Sequence, residues 1–157
     1  MDESTRPVRV VVDTNVLVSA ALSVHHDRLT STTARLFSLL ATREVVAVAS
    51  TQTLYELADK LREPQFELPP ALILDFLDIF TNAADIVSIR GLDMGCKDDP
   101  DDNAFVETAV NGRVDYLITY DRGFERSEVL HELAKRNCKV LNAGRFLGSL
   151  VPSSTKD

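Results

Sequence analysis

The stretch "VRVVVDTNVLVSAAL" (8–22) decides the fold. Its first part, "VRVVV" (8–12), is a β-branched run of the kind that forms a strand buried on both faces of a parallel sheet. The second part, "NVLVSAAL" (15–22), is mostly apolar and is predicted to form a helix. A strand that passes directly into a helix predicts a β-α unit, and Asp13 stands at its junction.

The rest of the chain continues this alternation. Further strands are predicted at 44–49, 85–89, 114–119 and 139–142, and helices at 33–41, 51–61, 70–83, 101–111 and 127–136. Strands that alternate with helices imply a parallel sheet with right-handed crossovers and helices on both faces. We therefore predict an α/β fold, a three-layer α/β/α sandwich around a parallel sheet of about five strands. It would form one domain over residues 1–150, followed by a flexible tail at 151–157.

Composition excludes several classes of protein. The formal charge of −7 over 157 residues disfavours a protein that coats nucleic acid through bulk electrostatics. The same charge permits an enzyme whose acids gather around divalent cations. No apolar run is long enough to span a bilayer, and no secretory signal is evident. Cys96 and Cys138 lack metal-ligand spacing and are expected as reduced thiols, so we predict a cytoplasmic protein with no membrane association.

Two aspartates follow predicted strands. Asp13 comes directly after the strand at 8–12, and Asp121 lies just beyond the strand at 114–119. In open α/β sheets chemistry gathers outside the carboxyl ends of the strands, so the two carboxylates would share one edge if these strands are neighbours. Each also has a structural alternative: Asp13 can serve the turn into the next helix, and Asp121 can cap or turn "YDRGF".

A third acid is singled out by its helical phase. Asp102 precedes Phe105, Val106 and Ala109, the apolar face of the next helix, by three, four and seven residues. It therefore lies on the face that packs on the sheet, at a helix N-terminus where the macrodipole favours an anion.

Helix capping is the structural alternative for the cluster "DDPDD" (98–102). Asp99 as N-cap with Pro100 as the first helical residue would form a serviceable start. That explanation leaves the inward phase of Asp102 unexplained. We assign function to Asp102 and structure to Asp98 and Asp99.

Glu56 is predicted to face solvent by its own periodicity. The apolar face of the helix at 51–61 points nearly opposite to it, and Lys60 follows four residues later, in the order that favours a surface ion pair. A functional role for Glu56 would require this helix to turn its polar face across the edge of the sheet.

Together these motifs resemble a known family. "VVVDTNVLVSA" (10–20) resembles the first motif of PIN domains, metal-dependent nucleases with the 5′-nuclease type of α/β fold. "LYELADKL" (54–61) resembles the second motif, and "DPDDNAFVETAVNGRVDYLITYD" (99–121) resembles the third and fourth. The similarity runs from about Val8 to Phe146. The "DPDDxxF" form is most similar to bacterial VapC-like toxin components of toxin–antitoxin pairs.

The resemblance implies a set of functional residues. It places the catalytic acids at Asp13, Glu56, Asp102 and Asp121, with Asn15 and Thr119 as supporting polar residues. Asp13, Asp102 and Asp121 would hold one or two Mg²⁺ or Mn²⁺ ions, hard cations that take oxygen ligands. The implied activity is metal-dependent hydrolysis of RNA phosphodiester bonds, with a cognate antitoxin protein as partner.

Three arginines are candidate phosphate contacts near the same edge: Arg113, Arg122 and Arg126. An ordinary surface role is the alternative for each. The apolar stretch "ALILDFLDIF" (71–80) could support a homodimer, and it serves equally well as core.

Two other functions remain open at this point. One is a catalytically silent PIN-fold binding protein, because acids in place do not prove turnover. The other is a Mg²⁺-dependent aspartyl phosphotransfer or receiver-like protein, which is disfavoured because no phosphoacceptor aspartate follows "VVAVAS" (45–50).

Overall fold

A parallel sheet of five strands lies between two layers of helices, as the sequence predicted. The computed structural model describes residues 6–96, 100–121, 124 and 127–151. The strands are β1 (Val8–Val12), β2 (Val45–Ala49), β3 (Asp85–Ile86), β4 (Tyr116–Ile118) and β5 (Lys139–Leu141). The helices in the described ranges are α1 (Thr14–His25), α2 (Thr32–Ala41), α3 (Thr51–Leu61), α4 (Pro70–Ala83), α5 (Asp102–Asn111), α6 (Ser127–Ala134) and α7 (Ala143–Ser149). A short 3₁₀ turn, Pro64–Phe66, joins α3 to α4.

The strand order in the sheet is β3-β2-β1-β4-β5. β1 therefore lies at the centre, with β2 on one side and β4 on the other. The chain builds outward from β1 in one direction and then in the other, so the order of strands reverses between β1 and β4. In sheets of this kind the reversal opens a crevice at the carboxyl ends of the two strands.

Alternating side chains of the strands pack into two separate hydrophobic cores, one on each face of the sheet. Val10 and Val12 of β1 pack in the core beneath α1, α2, α3, α4 and α7, whereas Val11 packs in the core beneath α5 and α6. In β4, Ile118 joins the first core and Leu117 the second. This alternation with a period of two is what a strand buried on both faces requires.

Arg9 is the one charged residue of β1, and its side chain fastens the amino edge of the sheet. Its guanidinium donates to Asp85 Oδ2 at 2.7 Å and to the Gly112 carbonyl at 3.1 and 3.2 Å. The hydrogen bond from Arg9 is the main reason that the pKa of Asp85 lies below its usual range. One side chain thus ties β3 and the end of α5 to the central strand.

The structure corrects several predicted boundaries. β3 covers only Asp85–Ile86, although a strand at 85–89 was predicted. α7 was not predicted; Asn142 caps it by accepting from the Arg145 N–H at 2.8 Å. Asp101 precedes α5 without a side-chain cap bond, so Asp102 is the first helical residue and not the third. Asp98 and Asp99 lie outside the described residues.

Two further predictions concern the thiols and the membrane. Cys96 and Cys138 are both buried, and no disulfide joins them. None of the helices in the described part of the chain combines the length and the apolar character that crossing a bilayer would require.

Gly112 allows α5 to end close against the sheet. A Cβ atom at this position would overlap Val48 Cγ1 of β2 and would lie 3.0 Å from the Thr108 carbonyl oxygen. Since that oxygen belongs to the backbone, the helix end could not relieve the contact without shifting.

We expect Gly112→Ala to lower the free energy of unfolding by about 1–3 kcal/mol, the usual cost of overpacking. Gly148→Ala is the matched control, because a Cβ there meets nothing within 4 Å. Urea denaturation of both variants measures the difference. Equal stability of the two variants would show that the α5–β2 contact is not tight.

Candidate active site

The candidate site lies at the carboxyl edge of the sheet, defined by Asp13, Ser50, Thr119 and Asn142, which follow β1, β2, β4 and β5. Val12 pairs in register with Ile118, so Asp13 and Thr119 leave the sheet side by side. The Asp13 N–H continues the ladder by donating to the Ile118 carbonyl at 2.9 Å. The crevice between β1 and β4 therefore contains the first predicted acid.

Asp13 is buried and held from two directions. Its Oδ1 accepts from the Thr14 N–H at 2.8 Å, and its Oδ2 accepts from the Thr119 hydroxyl at 2.8 Å. The first bond caps α1, so the structural role considered for Asp13 is real. The second bond crosses from one strand end to the other and fixes the plane of the carboxylate.

Thr119 also connects Asp13 to Asp121. The Thr119 hydroxyl oxygen accepts from the Asp121 N–H at 2.9 Å while its own hydrogen goes to Asp13. Thr119 is buried, whereas Asp121 is exposed. A single hydroxyl therefore holds the backbone of one predicted acid and the side chain of another.

Asp102 begins α5 at the same edge. Because α5 leads through a short loop into β4, it runs antiparallel to the strands and starts at their carboxyl ends. Its exposed fraction is only 9%, and Phe105, one turn later, lines a small cavity with Val12 and Thr14. The inward phase predicted for Asp102 is thus observed.

Glu56 lies on the polar face of α3, which does turn across this edge. The side chain is half-buried and lines a groove of about 690 Å³, which we call the α3–α5 groove. The groove runs between α3, the segment 89–93 and the start of α5, and Asp101 and Asn103 line its opposite side. Periodicity alone predicted that Glu56 faces solvent; the side chain is half-buried on the wall of this groove, opposite the start of α5.

A family model for the PIN domain matches residues 9–123 of the sequence. The chain belongs to the PIN domain family. The match includes all four acids of the predicted set. A search of curated proteins found no match.

Among the residues that the structure describes, no three His, Cys, Asp or Glu side chains are gathered closely enough to hold a metal ion. Asp13, Asp102 and Asp121 nevertheless lie at the same carboxyl edge of the sheet. The VapC-like subgroup remains a prediction from the "DPDDxxF" motif.

The remaining predicted residues are placed differently. Asn15 is exposed on the first turn of α1, at the carboxyl edge. Arg113 follows α5 at the amino edge, where it lines a cavity of about 460 Å³ with Arg6 and Arg136. The prediction that Arg113 lies near the acids is therefore wrong, because α5 runs from the carboxyl edge to the amino edge before the chain reaches Arg113. Arg122 and Arg126 lie outside the described residues.

A polar ladder on α5 was missed by the sequence analysis. Asn103 Oδ1 accepts from the N–H groups of Met94 and Cys96, and Asn111 Nδ2 donates to the Ser88 carbonyl. Glu107, between them, accepts from the N–H groups of Arg90, Gly91 and Leu92 at 2.6, 2.9 and 2.8 Å. The i, i+4, i+8 spacing of 103, 107 and 111 was the available signal, since it places the three side chains along one face.

Glu107 is a buried carboxylate, with an exposed fraction of 1%. Burial alone would raise its pKa, but the three backbone donors outweigh burial and hold the pKa below its usual range. The charged form is therefore stable inside the protein. The Glu107 carboxylate holds the segment that leads from β3 toward the acidic cluster at 98–102. Residues of this segment line the α3–α5 groove.

Two other titratable groups are less suited to nucleophilic chemistry, Cys138 at the amino edge and Tyr120 at the carboxyl edge. Burial, together with the nearby Asp115 carboxylate, raises the pKa of Cys138 to about 12, so this thiol is not an activated nucleophile. Burial also raises the pKa of Tyr120, which stays neutral at physiological pH.

We expect Glu107→Gln to destabilise the protein by about 2 kcal/mol at neutral pH, because the amide turns a donor toward backbone donors. The folded-state pKa is lowered, so the contribution of Glu107 is fully present above the unfolded pKa and is lost as pH falls through the folded value. Urea denaturation from pH 7 to pH 3 should show the difference between wild type and variant shrinking at the acid end.

Glu132→Gln is the matched control, since Glu132 forms only surface pairs with Lys135 and Arg136. Its effect should stay within about 0.5 kcal/mol. Hydrogen exchange at residues 90–92 should accelerate in Glu107→Gln alone. Unchanged exchange there would show that the carboxylate does not hold this segment.

Proposed function

We propose that this protein is a metal-dependent endoribonuclease that hydrolyses RNA phosphodiester bonds. PIN domains are generally nucleases, and the chain carries the acids of the family motifs. The observation that best supports the proposal is the buried Asp13 carboxylate, held by Thr14 and Thr119 in the crevice where the strand order reverses. Asp102 and Asp121 lie at the same edge.

The donor groups at this edge suit a hard divalent cation. They are all oxygens: the carboxylates of Asp13, Asp102 and Asp121, with the Asn15 amide beside them. Asp13 contributes two such oxygens, which accept from the Thr14 N–H and from the Thr119 hydroxyl. Mg²⁺ and Mn²⁺ prefer such oxygen sets.

A buried hydroxyl group beside Asp13, that of Thr14, gives further support to the proposal. Within the described part of the chain, Thr14 Oγ1 is buried and has no hydrogen-bond partner. It adjoins the Asp13 cap and the small cavity beneath Phe105. A polar atom left without a partner beside the carboxylate fits an edge whose full set of contacts forms only when a ligand is bound.

The chain's own groups orient the reaction. Thr119 holds the Asp13 carboxylate in one plane, and the start of α5 holds Asp102 near helix N–H groups that favour its charged form. A bound Mg²⁺ or Mn²⁺ would lower the pKa of water and stabilise charge on the leaving oxygen. His25 and His26 end α1 at the amino edge, so neither serves as a general base.

Charge repulsion links the cation to the fold. Two carboxylates about 4 Å apart repel by about 4 kcal/mol at an effective dielectric near 20. Without a cation, close approach of Asp13, Asp102 and Asp121 is therefore unfavourable.

The toxin role of a toxin–antitoxin pair is part of the proposal. It is supported by the "DPDDxxF" resemblance, which also implies an antitoxin partner. A homodimer through α4 remains a prediction: Leu74 and Ile79 on this helix are exposed, whereas Ile73, Phe76 and Phe80 are core.

A catalytically silent PIN-fold binding protein is the second candidate. It is favoured by one observation, the absence of a three-ligand acidic group among the described residues. The aspartyl phosphotransfer alternative gains no support from membership in the PIN family.

We expect Mg²⁺ or Mn²⁺ to raise the melting temperature of the wild-type protein, since a ligand that binds only the native state adds about 2.7 kcal/mol at 100 times its Kd. Asp13→Asn and Asp102→Asn should abolish this shift. Asparagine caps helices as well as aspartate, so Asp13→Asn removes charge while keeping the α1 cap. Differential scanning fluorimetry with and without EDTA measures the shift, and a shift that survives both substitutions would place the metal elsewhere.

The nuclease activity is tested on a panel of single-stranded and structured RNAs. We expect cleavage with Mg²⁺ or Mn²⁺ that is lost in EDTA and reduced by at least about 100-fold in Asp13→Asn and Asp102→Asn, comparable to removing one group that stabilises transition-state charge. Asp27→Asn, an exposed residue beyond α1 at the amino edge, is the matched control and should cleave as wild type. Cleavage by both edge variants would indicate a contaminant, and binding of RNA without cleavage would favour the silent protein.

A further inference from the structure

A second cavity opens at the carboxyl edge beside Asp121. Its volume is about 340 Å³, and we call it the Tyr120–Arg145 pocket. The residues that line it come from the ends of β4 and β5 and from the start of α7: Thr119, Tyr120, Asp121, Val140, Leu141, Asn142 and Arg145. It is distinct from the α3–α5 groove, with which it shares no lining residue.

Arg145 places a cation on this pocket. Its backbone N–H is fixed by the Asn142 cap at 2.8 Å, and its side chain is exposed. Within the described part of the chain its guanidinium forms no hydrogen bond or ion pair. Arginine is the side chain best shaped to bind phosphate, because its planar fork donates two parallel hydrogen bonds.

Tyr120 places an aromatic ring on the same pocket. Tyr120 lies between Thr119 and Asp121 in the chain, and the Thr119 side chain turns inward to Asp13. The Tyr120 side chain is 51% exposed. The ring is therefore anchored at a fixed strand end yet open on its outer side. Exposed rings of this kind stack nucleobases regardless of base identity.

We propose that Tyr120 and Arg145 form a subsite for one nucleotide of single-stranded RNA, directly beside the catalytic carboxylates. Tyr120 stacks the base and Arg145 binds a backbone phosphate. The subsite rests on the proposed function for its role in cleavage. The charge of the Tyr120–Arg145 pocket also supports the proposed subsite. This pocket is lined by one arginine and one aspartate. The α3–α5 groove has one lysine, Lys60, and five carboxylates: Glu56, Asp59, Glu63, Asp93 and Asp101.

The subsite is tested by equilibrium binding in an Asp13→Asn background, which should not cleave. The probe is a short fluorescein-labelled oligoadenylate in Mg²⁺, followed by fluorescence anisotropy at several salt concentrations. Tyr120→Ala should weaken binding about tenfold, the usual effect of losing one stacked base, and Tyr120→Phe should keep it. Arg145→Ala should reduce the slope of log affinity against log salt by about 0.7, the contribution of one phosphate on a single strand.

Matched controls are Tyr55→Ala and Arg35→Ala, an exposed tyrosine on α3 and an exposed arginine on α2. Both should bind as the parent protein does. Unchanged affinity and salt slope in the Tyr120→Ala and Arg145→Ala variants, or equal losses in the controls, would overturn the subsite.

Cleavage assays of the same variants with Asp13 restored separate the subsite from the nuclease proposal. Wild-type cleavage that Tyr120→Ala and Arg145→Ala leave unchanged would overturn the subsite and leave the nuclease standing. Binding that depends on both residues in a wild-type protein that cleaves no RNA would uphold the subsite and overturn the nuclease.

Discussion

The register between β1 and β4 is the constraint on which the site depends. It pairs Val12 with Ile118, and the next residues, Asp13 and Thr119, meet through a 2.8 Å hydrogen bond. The same register sends Val12 and Ile118 into one core and Val11 and Leu117 into the other. A slip by one residue would turn each of these side chains to the wrong face and would remove Thr119 from Asp13. Burial of the apolar strand residues therefore brings Asp13 beside Thr119, and hydrogen bonds from Thr14 and Thr119 then orient its carboxylate.

α5 serves the site through three of its faces. Phe105, Val106 and Ala109 seat it on the sheet, and Asp102 begins it at the carboxyl edge. Its polar ladder of Asn103, Glu107 and Asn111 holds the irregular segment between β3 and α5. A buried negative charge close to an acidic edge would ordinarily be unfavourable, but three N–H donors from consecutive residues stabilise the Glu107 carboxylate. Glu107, which lies outside the predicted catalytic set, thus holds the wall of the α3–α5 groove that faces α3.

The sequence predicted features that a single local rule controls. Runs rich in valine predicted β1 and β2, and helical phase predicted the inward position of Asp102, because each depends only on neighbours in the chain. The prediction failed for α7, whose seven residues include Gly144 and Gly148 and carry too weak a helical pattern to stand out. Glu56 and Arg113 show a different limit. Periodicity reports which face of a helix is apolar but not that its polar face borders a groove, and nearness in sequence to Asp121 concealed that Arg113 lies at the other edge of the sheet.

The distribution of charge differs between the α3 side and the β5 side of the carboxyl edge. A chain with a net charge of −7 repels a polyanion at long range, and screening at physiological salt confines that repulsion to about 8 Å. Local charge then decides the path of approach. On the α3 side the α3–α5 groove is lined by five carboxylates and one lysine, so a phosphate backbone there would be opposed unless several cations bound with it. On the β5 side the pocket sets the Arg145 guanidinium and the open Tyr120 ring beside Asp121. If the proposed RNA substrate enters over β5, it would meet a cation and a stacking surface before the acids, and the carboxylates of the α3–α5 groove would oppose its passage beyond them.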